Sequence, residues 1–504
     1  MNARKFILGA ICTGVVIITG IVAYSNLESS TPAISSATPT QWVTLKVNDF
    51  EYPIDLYSNG TILNVGTLNS DRYNTISIGE YTGYDITING ISLPSNSSIH
   101  LDLDKLAKDC QILLSYTDIS SNEQRSLFIN TLPDNYQNPI IHSNNVEAGF
   151  YYFNLNEYVY KMSTDGNVVF WRLAGHGDIS SGGNDFKTTM INDRQYYTFL
   201  FGWETNESPY LDGVGYGRMQ GLVLNENYEI VDNVQFLDLT TGERLPLENH
   251  QFTMLGENHY LLTAYAGRYV DNIPDSLPHS NIESRVVGAI IQEVKDNQVI
   301  FEWDSTDHPE LYELSTAGND FYNTEAYWAD YAHINSVILD NDQNFICSFR
   351  NLDTVIKIDR TTGDILWKLG GKADEFGLTD AQKFSKQHDA RITSDGYITI
   401  FNNGNLENSF TDGHTSIIKI KLDESAKTIL DYQSFSVNGQ FSSHMGSAQE
   451  VDHSKFVVGW GGRATTNALF SEIDFNTGKI LFEVLSSKTS GLYPDIYKVY
   501  KFSY

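Results

Sequence analysis

The chain has 504 residues, 63 acidic against 33 basic side chains, a formal charge of −30 and three cysteines. No Lys/Arg-rich tract could carry a phosphate-binding stripe, so nucleic acid is excluded as a partner, and too few cysteines exist for a disulfide scaffold. Thirty tyrosines, 26 phenylalanines and 38 glycines against 12 prolines point to an all-β chain of short strands and tight turns, long enough for two or three cores.

At the N-terminus, Arg4 and Lys5 precede an uncharged run from Phe6 to Tyr24, the charge-then-apolar order of an export signal. An exported, periplasmic or otherwise extracytoplasmic protein is expected. The run is long for a signal core and just long enough to span a bilayer. Residues 1–25 are therefore either a signal peptide cleaved near Ser25 or an uncleaved membrane anchor. Cys12 reads as apolar filler, because Ile11 stands where a lipoprotein signal wants a small residue. Residues 26–41, rich in Ser, Thr, Pro and Ala, form an extended linker.

Residues 42–138 alternate in short segments, such as Tyr84 to Ile91 and Gln111 to Tyr116, broken by Asn-Gly and Ser/Asn turns. A small β-sandwich is expected, with one or two helical turns between Asp102 and Asp109. Nothing in it gathers His, Cys and carboxylates at reactive spacing, so its expected role is that of a spacer or a homodimerising module.

From residue 139 to 504 a segment recurs: apolar-x-apolar-Asp-x-x-Thr-Gly-x-Ile-Leu-aromatic. The clearest copies are IKIDRTTGDILW, ending at Trp367, and SEIDFNTGKILF, ending at Phe482. Weaker copies end at Trp171 and Trp303 and lie near Ile230 and Leu430, giving about 62 residues per repeat. Each copy describes a hairpin: alternating apolar residues, an Asp that bonds its own turn, a Gly at positive φ and a second strand ending in an aromatic. Six such units arranged radially cover one another's faces, which is a six-bladed β-propeller. The segment from Tyr497 to Phe502 is expected to close the ring by joining the first blade.

Between the hairpins lie segments that begin with histidine and continue as strand, turn, strand: His250, His333, His388 and His444. Twelve histidines in the whole chain make four at equivalent repeat positions far more than chance supplies. The first strand of a blade lines the central channel, so these imidazoles are expected to converge on one axis although 83, 55 and 56 residues separate them. His142, His176, His259, His279, His308, His414 and His453 lack this context and read as structural. Arg350 ends the strand of the His333 repeat, and a surface residue and an anion clamp both remain open for it.

The string HINSVILDNDQNFICSFRNLDTVIKIDRTTGDILWKLGG, followed by KQHDARITSDGYITIFNNG, resembles the bacterial arylsulfate sulfotransferases, a family built as a six-bladed propeller behind a small β-sandwich. The resemblance runs from the sandwich through INTLP at Ile129 to Pro133 and on to the C-terminus. It implies a nucleophilic histidine at His388, sulfate-binding residues at His333, Asn335 and Arg350, and a further active-site histidine at His250. His444 matches no family residue and is carried as a candidate substrate-binding residue. The family's disulfide near the active site has no cysteine pair in this propeller, so dependence on a dedicated thiol oxidase is not expected. An aryl sulfate donor and a phenolic acceptor are the implied substrates, with no nucleotide sulfate, cofactor or metal.

The residues suit that reaction independently. Sulfuryl transfer moves an SO₃ group whose charge sits on three oxygens, so the site must position and neutralise it. A neutral imidazole kept so by a cationic neighbour can hold the group as an N-sulfo intermediate. Two other chemistries compete. Four inward histidines could bind iron, copper or zinc, against which Arg350 speaks. Asp359-x-x-Thr-Gly-x-x-x-Trp367 also occurs in quinone-cofactor propellers, although any hairpin with a tryptophan at a blade interface gives the same string. A binding propeller without catalysis is the third alternative. The insertion from Ala266 to Arg285 is expected to shape the choice of acceptor.

Overall fold

Strands with one apolar face must be covered, and in this chain two solutions follow each other. In the computed structural model, residues 41–504 are described apart from 48–49, 65–72, 103–110, 131, 133–135, 137–138, 175–182, 203–217, 227, 325–327, 406–412, 438–439, 463–465 and 488–495. The signal or anchor segment, most of the linker, the expected helical turn after Asp102, and His176 lie outside the described residues. Among those described, no helix is long and apolar enough to cross a membrane.

The first solution is a pair of facing sheets. One orders Phe50–Asp55, Trp42–Val47, Tyr73–Ile78 and Ser97–Asp102; the other orders Thr61–Asn64, Gln124–Asn130, Gln111–Asp118, Tyr84–Ile88 and Ile91–Ser92. Leu45, Ile76, Ile86, Ile112, Leu114 and Ile129 fill the space between them. Alternate residues of Trp42–Val47 and Tyr84–Ile88 are buried, the pattern of strands with one wet face.

The second solution is a ring. Five consecutive antiparallel sheets begin with Lys187–Ile191, Phe252–Gly256, Ile334–Leu339, His388–Ile392 and Ser447–Asp452. A further sheet combines Phe150–Leu155, Tyr158–Ser163 and Val168–Leu173 with the C-terminal strand Val499–Phe502, and comes first in chain order. The closing strand pairs antiparallel with Phe150–Leu155, from Phe153↔Val499 to Phe150↔Phe502. A second tie runs the other way: Ile140–Ser143 adds to the outer edge of the sixth sheet beside Lys479–Leu485. Each sheet touches the next, the third and fourth through Gln251 and a shared core, and the sixth returns to the first through Ser447–Asp452 against Val499–Phe502. A sheet series that closes on itself leaves only short edges, so the fold is an all-β propeller.

Glutamine side chains stitch neighbouring sheets by copying a strand's hydrogen-bond pattern. Gln251 donates to the Val337 carbonyl at 2.6 Å and accepts from the Val337 amide at 3.2 Å. Gln449 treats Lys501 in the same way, at 3.1 and 2.7 Å. The recurring hairpin is equally local in origin. Asp359 Oδ1 accepts from the Thr361 and Thr362 amides at 2.7 and 2.9 Å, and Gly363 turns the chain at φ 80°. Trp367 then packs, buried, in the core shared by the fourth and fifth sheets, so this string is accounted for by hairpin and interface.

The expected insertion is the tip of a long hairpin, His259–Val270 paired with Ser284–Lys295. Residues 305–324 and 328–332 lie against it: the Val287 amide donates to Ala329 O at 2.9 Å, and Tyr265, Ile273, Tyr312, Phe321 and Tyr331 share one core. Cys347 is a buried free thiol inside the fourth sheet, and burial pushes its pKa up.

Candidate active site

The starts of the innermost strands meet on the axis, and there the backbone is bent into unusual conformations. Asp185, His333, Asp389 and Met445 all have φ between 53° and 61°, a region that costs a non-glycine residue about 1 kcal/mol or more. Pairing registers also slip beside two of them, between Ile334 and Ser336 and between His388 and Arg391. Bulges of this kind re-aim side chains at a strand's end.

Three imidazoles converge. The His250 ring centroid lies 5.2 Å from that of His333 and 5.5 Å from that of His388, and all three are buried. Tyr497, just before the closing strand, packs its ring 5.7 Å from His250 and 5.5 Å from His388. Tyr265 closes the other side, 5.5 Å from His333.

The three rings differ in what stands behind them. His388 Nδ1 lies 2.7 Å from the Gly446 carbonyl, which can only accept, so Nδ1 carries the proton and Nε2 carries a lone pair. That Nε2 is buried and has no hydrogen-bond partner among the described residues. Burial first, then Lys498 and His250, push the His388 pKa well below its ordinary value and keep the ring neutral. His333 Nδ1 is 2.5 Å from Asp330 Oδ2. His250 Nδ1 bonds Glu248 Oε2, and the same carboxylate accepts from the His250 and Gln251 amides and from Thr263 Oγ1.

Glu248 and His250 form one buried titrating pair. Burial raises the Glu248 pKa to about 7, and burial, His333 and Lys498 push that of His250 well down. Whichever atom takes it, the pair gains one proton near neutrality, after which His250 Nε2 bears a hydrogen; before that, Nε2 bears a lone pair. A group that is donor on one side of pH 7 and acceptor on the other is what acid–base work needs.

The polar surround comes from the fourth and fifth sheets. The Arg350 amide bonds His333 O at 2.9 Å, which ties the arginine's backbone to the His333 turn, and its Nη1 bonds Asn351 Oδ1 at 2.9 Å. Asn335 is buried, donates to Gln387 O at 2.7 Å and leaves its Oδ1 without a hydrogen-bond partner among the described residues. Among the described residues, no group of three His, Cys, Asp or Glu side chains is placed to hold a metal ion.

The Arylsulfotransferase (ASST) family profile matches residues 197–467, more than half of the chain. The chain belongs to that family. No curated protein matches it significantly. Among solved structures, a protein of unknown function from Bacteroides caccae is 9% identical, with 71% of this chain and 100% of that one covered and a TM-score of 0.41. A catalytically inactive virginiamycin B lyase from Staphylococcus aureus, solved with quinupristin, is 9% identical over 88% of this chain and 99% of its own, with a TM-score of 0.32.

The arylsulfotransferase match spans His250, His333, Asn335, Arg350, His388 and His444, and the structure does not treat these alike. The rings of His250, His333 and His388 gather, while His444 lies against Gly462 with its Nδ1 2.8 Å from Ser443 Oγ. The reason is local. Met445 and Gly446 both take positive φ, so the sixth sheet presents the Gly446 carbonyl to His388. Glu248, Asp330, Tyr497 and Lys498 escape the sequence reading. Two signals were available: Glu248 sits two residues before His250 in ENH, and Lys498 lies in the segment from Tyr497 to Phe502 already assigned to ring closure.

Proposed function

We propose that the protein is a nucleotide-independent sulfotransferase that moves a sulfuryl group from an aryl sulfate to a phenol through a sulfo-histidine at His388. Family membership supports the reaction class. The observation that carries the mechanism is His388 itself: a buried neutral imidazole, its Nδ1 proton engaged by a carbonyl and its Nε2 lone pair unused.

In the first half-reaction Nε2 attacks sulfur, the S–N bond forms as the S–O bond to the aryl group breaks, and the electron pair leaves on the phenolate oxygen. His250, protonated with Glu248, or His333 delivers a proton to that oxygen. In the second half the same imidazole takes the acceptor phenol's proton, its oxygen attacks sulfur, and the S–N pair returns to His388. Arg350 and the Asn335 amide stabilise the peripheral oxygens. The sandwich serves as a spacer or dimerising module, and residues 1–25 export the protein and, if uncleaved, anchor it to the membrane.

A phenol-release assay tests this reading. An aryl sulfate supplied alone should give one equivalent of phenol and a protein heavier by one SO₃, and an added phenol should restore turnover. Initial rates at varied donor and acceptor should give parallel double-reciprocal lines. Intersecting lines with no adduct on an active enzyme would mean direct transfer and would remove His388 from the nucleophile's role.

A further inference from the structure

Asp389, next in sequence to His388, and Asp185 are buried carboxylates with three cations around them. Arg391 grips Asp389 with both arms, Nε to Oδ2 at 2.7 Å and Nη2 to Oδ1 at 2.9 Å. Lys187 pairs with Asp185, which also accepts from the Tyr500 hydroxyl and, at 2.9 Å, from the Phe252 amide. The third cation, Lys498, is fully buried. Its Nζ stands 3.3 Å from Asp389 Oδ1 but out of hydrogen-bond alignment, and among the described residues no group accepts a hydrogen bond from it.

Three cations thus face Asp185 and Asp389, each of which already has a closer partner, and Glu248, on which Lys498 also acts, is engaged by His250 and Thr263. The surplus charge falls on Lys498, next in sequence to the Tyr497 ring that packs on His250 and His388. A buried ammonium with unused donors is costly to maintain unless an anion meets it. Lysine offers a compact charge with three rotatable donors, which suits an SO₃ group with three oxygens. Burial ranks first in depressing both His250 and His388, and Lys498 contributes to each. The strand it immediately precedes, Val499–Phe502, belongs to the first sheet, three sheets round the ring from the fourth, which carries Arg350.

We propose that Lys498 is a second sulfuryl-binding cation, donating to the peripheral oxygens of the group while it is bound to His388, from across the channel to Arg350. This rests on the sulfotransfer reading and adds a residue to it.

The test pairs two measurements on full-length protein: binding of inorganic sulfate by calorimetry, and turnover of nitrophenyl sulfate with a phenol. Lys498→Gln should weaken sulfate at least tenfold and lower kcat/KM about 100-fold, the scale of losing one transition-state donor. Lys498→Arg, which keeps the charge, should retain sulfate binding within about threefold. A folded glutamine variant that binds sulfate and turns over donor like the wild type overturns the proposal and leaves Lys498 a counterion of Asp389. If that variant does not fold, the arginine variant decides, since a folded protein that has lost sulfate affinity overturns the proposal too. Wild-type protein that binds sulfate through Lys498 yet turns over no aryl sulfate would keep the anion site and remove the sulfotransfer reading.

Discussion

His388 donates its Nδ1 proton to the carbonyl of Gly446, 58 residues further along the chain, across 2.7 Å. The bond joins the fifth sheet to the sixth and fixes which nitrogen of the ring carries the lone pair. A carboxylate there would favour imidazolium, whereas a carbonyl leaves the ring neutral in a dry site.

Gly446 has φ 98°, and a β-carbon on it would overlap the Phe401 ring. Gly446→Ala should therefore move the carbonyl. Stability should fall by about 1–3 kcal/mol from strain and overpacking. Activity should fall at least tenfold even well below the melting transition, because the tautomer of His388 is no longer held. Thermal denaturation and nitrophenyl sulfate turnover on the same preparation check both parts. Normal activity in a destabilised variant would reduce the carbonyl to a packing role.

His388→Asn keeps a polar side chain but removes the attacking nitrogen. Both half-reactions should be lost, with no SO₃ adduct by intact-protein mass spectrometry. Arg350→Ala should retain the adduct but form it about 100- to 1,000-fold more slowly, since an oxyanion donor is removed and the nucleophile stays. An adduct of normal mass on the asparagine variant would place the sulfuryl group on another residue.

Hairpin periodicity made the fold readable because each turn is a local device: an Asp bonding the next amides, a Gly at positive φ, an aromatic at the sheet interface. The axial histidines were readable for the same reason, each standing at a fixed place before its strand. What was not readable depends on backbone direction at a single residue. His444 occupies the sequence position of its fellows, but the positive φ of Met445 and Gly446 substitutes a carbonyl for its ring. Lys498 and Glu248 were hidden differently, because a lone lysine or glutamate has no repeat to announce it, and their weight comes from burial beside groups far away in sequence.

Ring closure makes its own prediction. Val499–Phe502 supplies the innermost strand of the first sheet, and Val499 and Tyr500 are buried in that core. Truncation after Tyr497 would strip Phe150–Leu155 of one of its two partners and expose that edge. The truncated chain should lose cooperative unfolding and aggregate. A monomeric product with wild-type melting behaviour would show that the Ile140–Ser143 tie to the sixth sheet closes the ring unaided.

The Glu248–His250 pair should set the pH dependence, and the leaving group should reveal it. Below about pH 7 the pair holds its extra proton and His250 Nε2 can protonate a departing phenolate; above it, the proton is gone and the donor half-reaction slows. Nitrophenolate leaves readily without help, so its release should be nearly flat across that range. Phenolate needs the acid, and its release from phenyl sulfate should fall as pH rises through about 7. The acceptor half-reaction has the opposite sign, because Nε2 must then take a proton, and discharge of the sulfo-enzyme to phenol should rise over the same interval. Glu248→Gln removes the shared proton and should cost phenyl sulfate about 100-fold or more while sparing most of the nitrophenyl sulfate rate. Single-turnover phenol release from both donors across neutrality measures this directly. Identical profiles for the two donors, unchanged in the glutamine variant, would assign the proton transfer to His333 and Asp330.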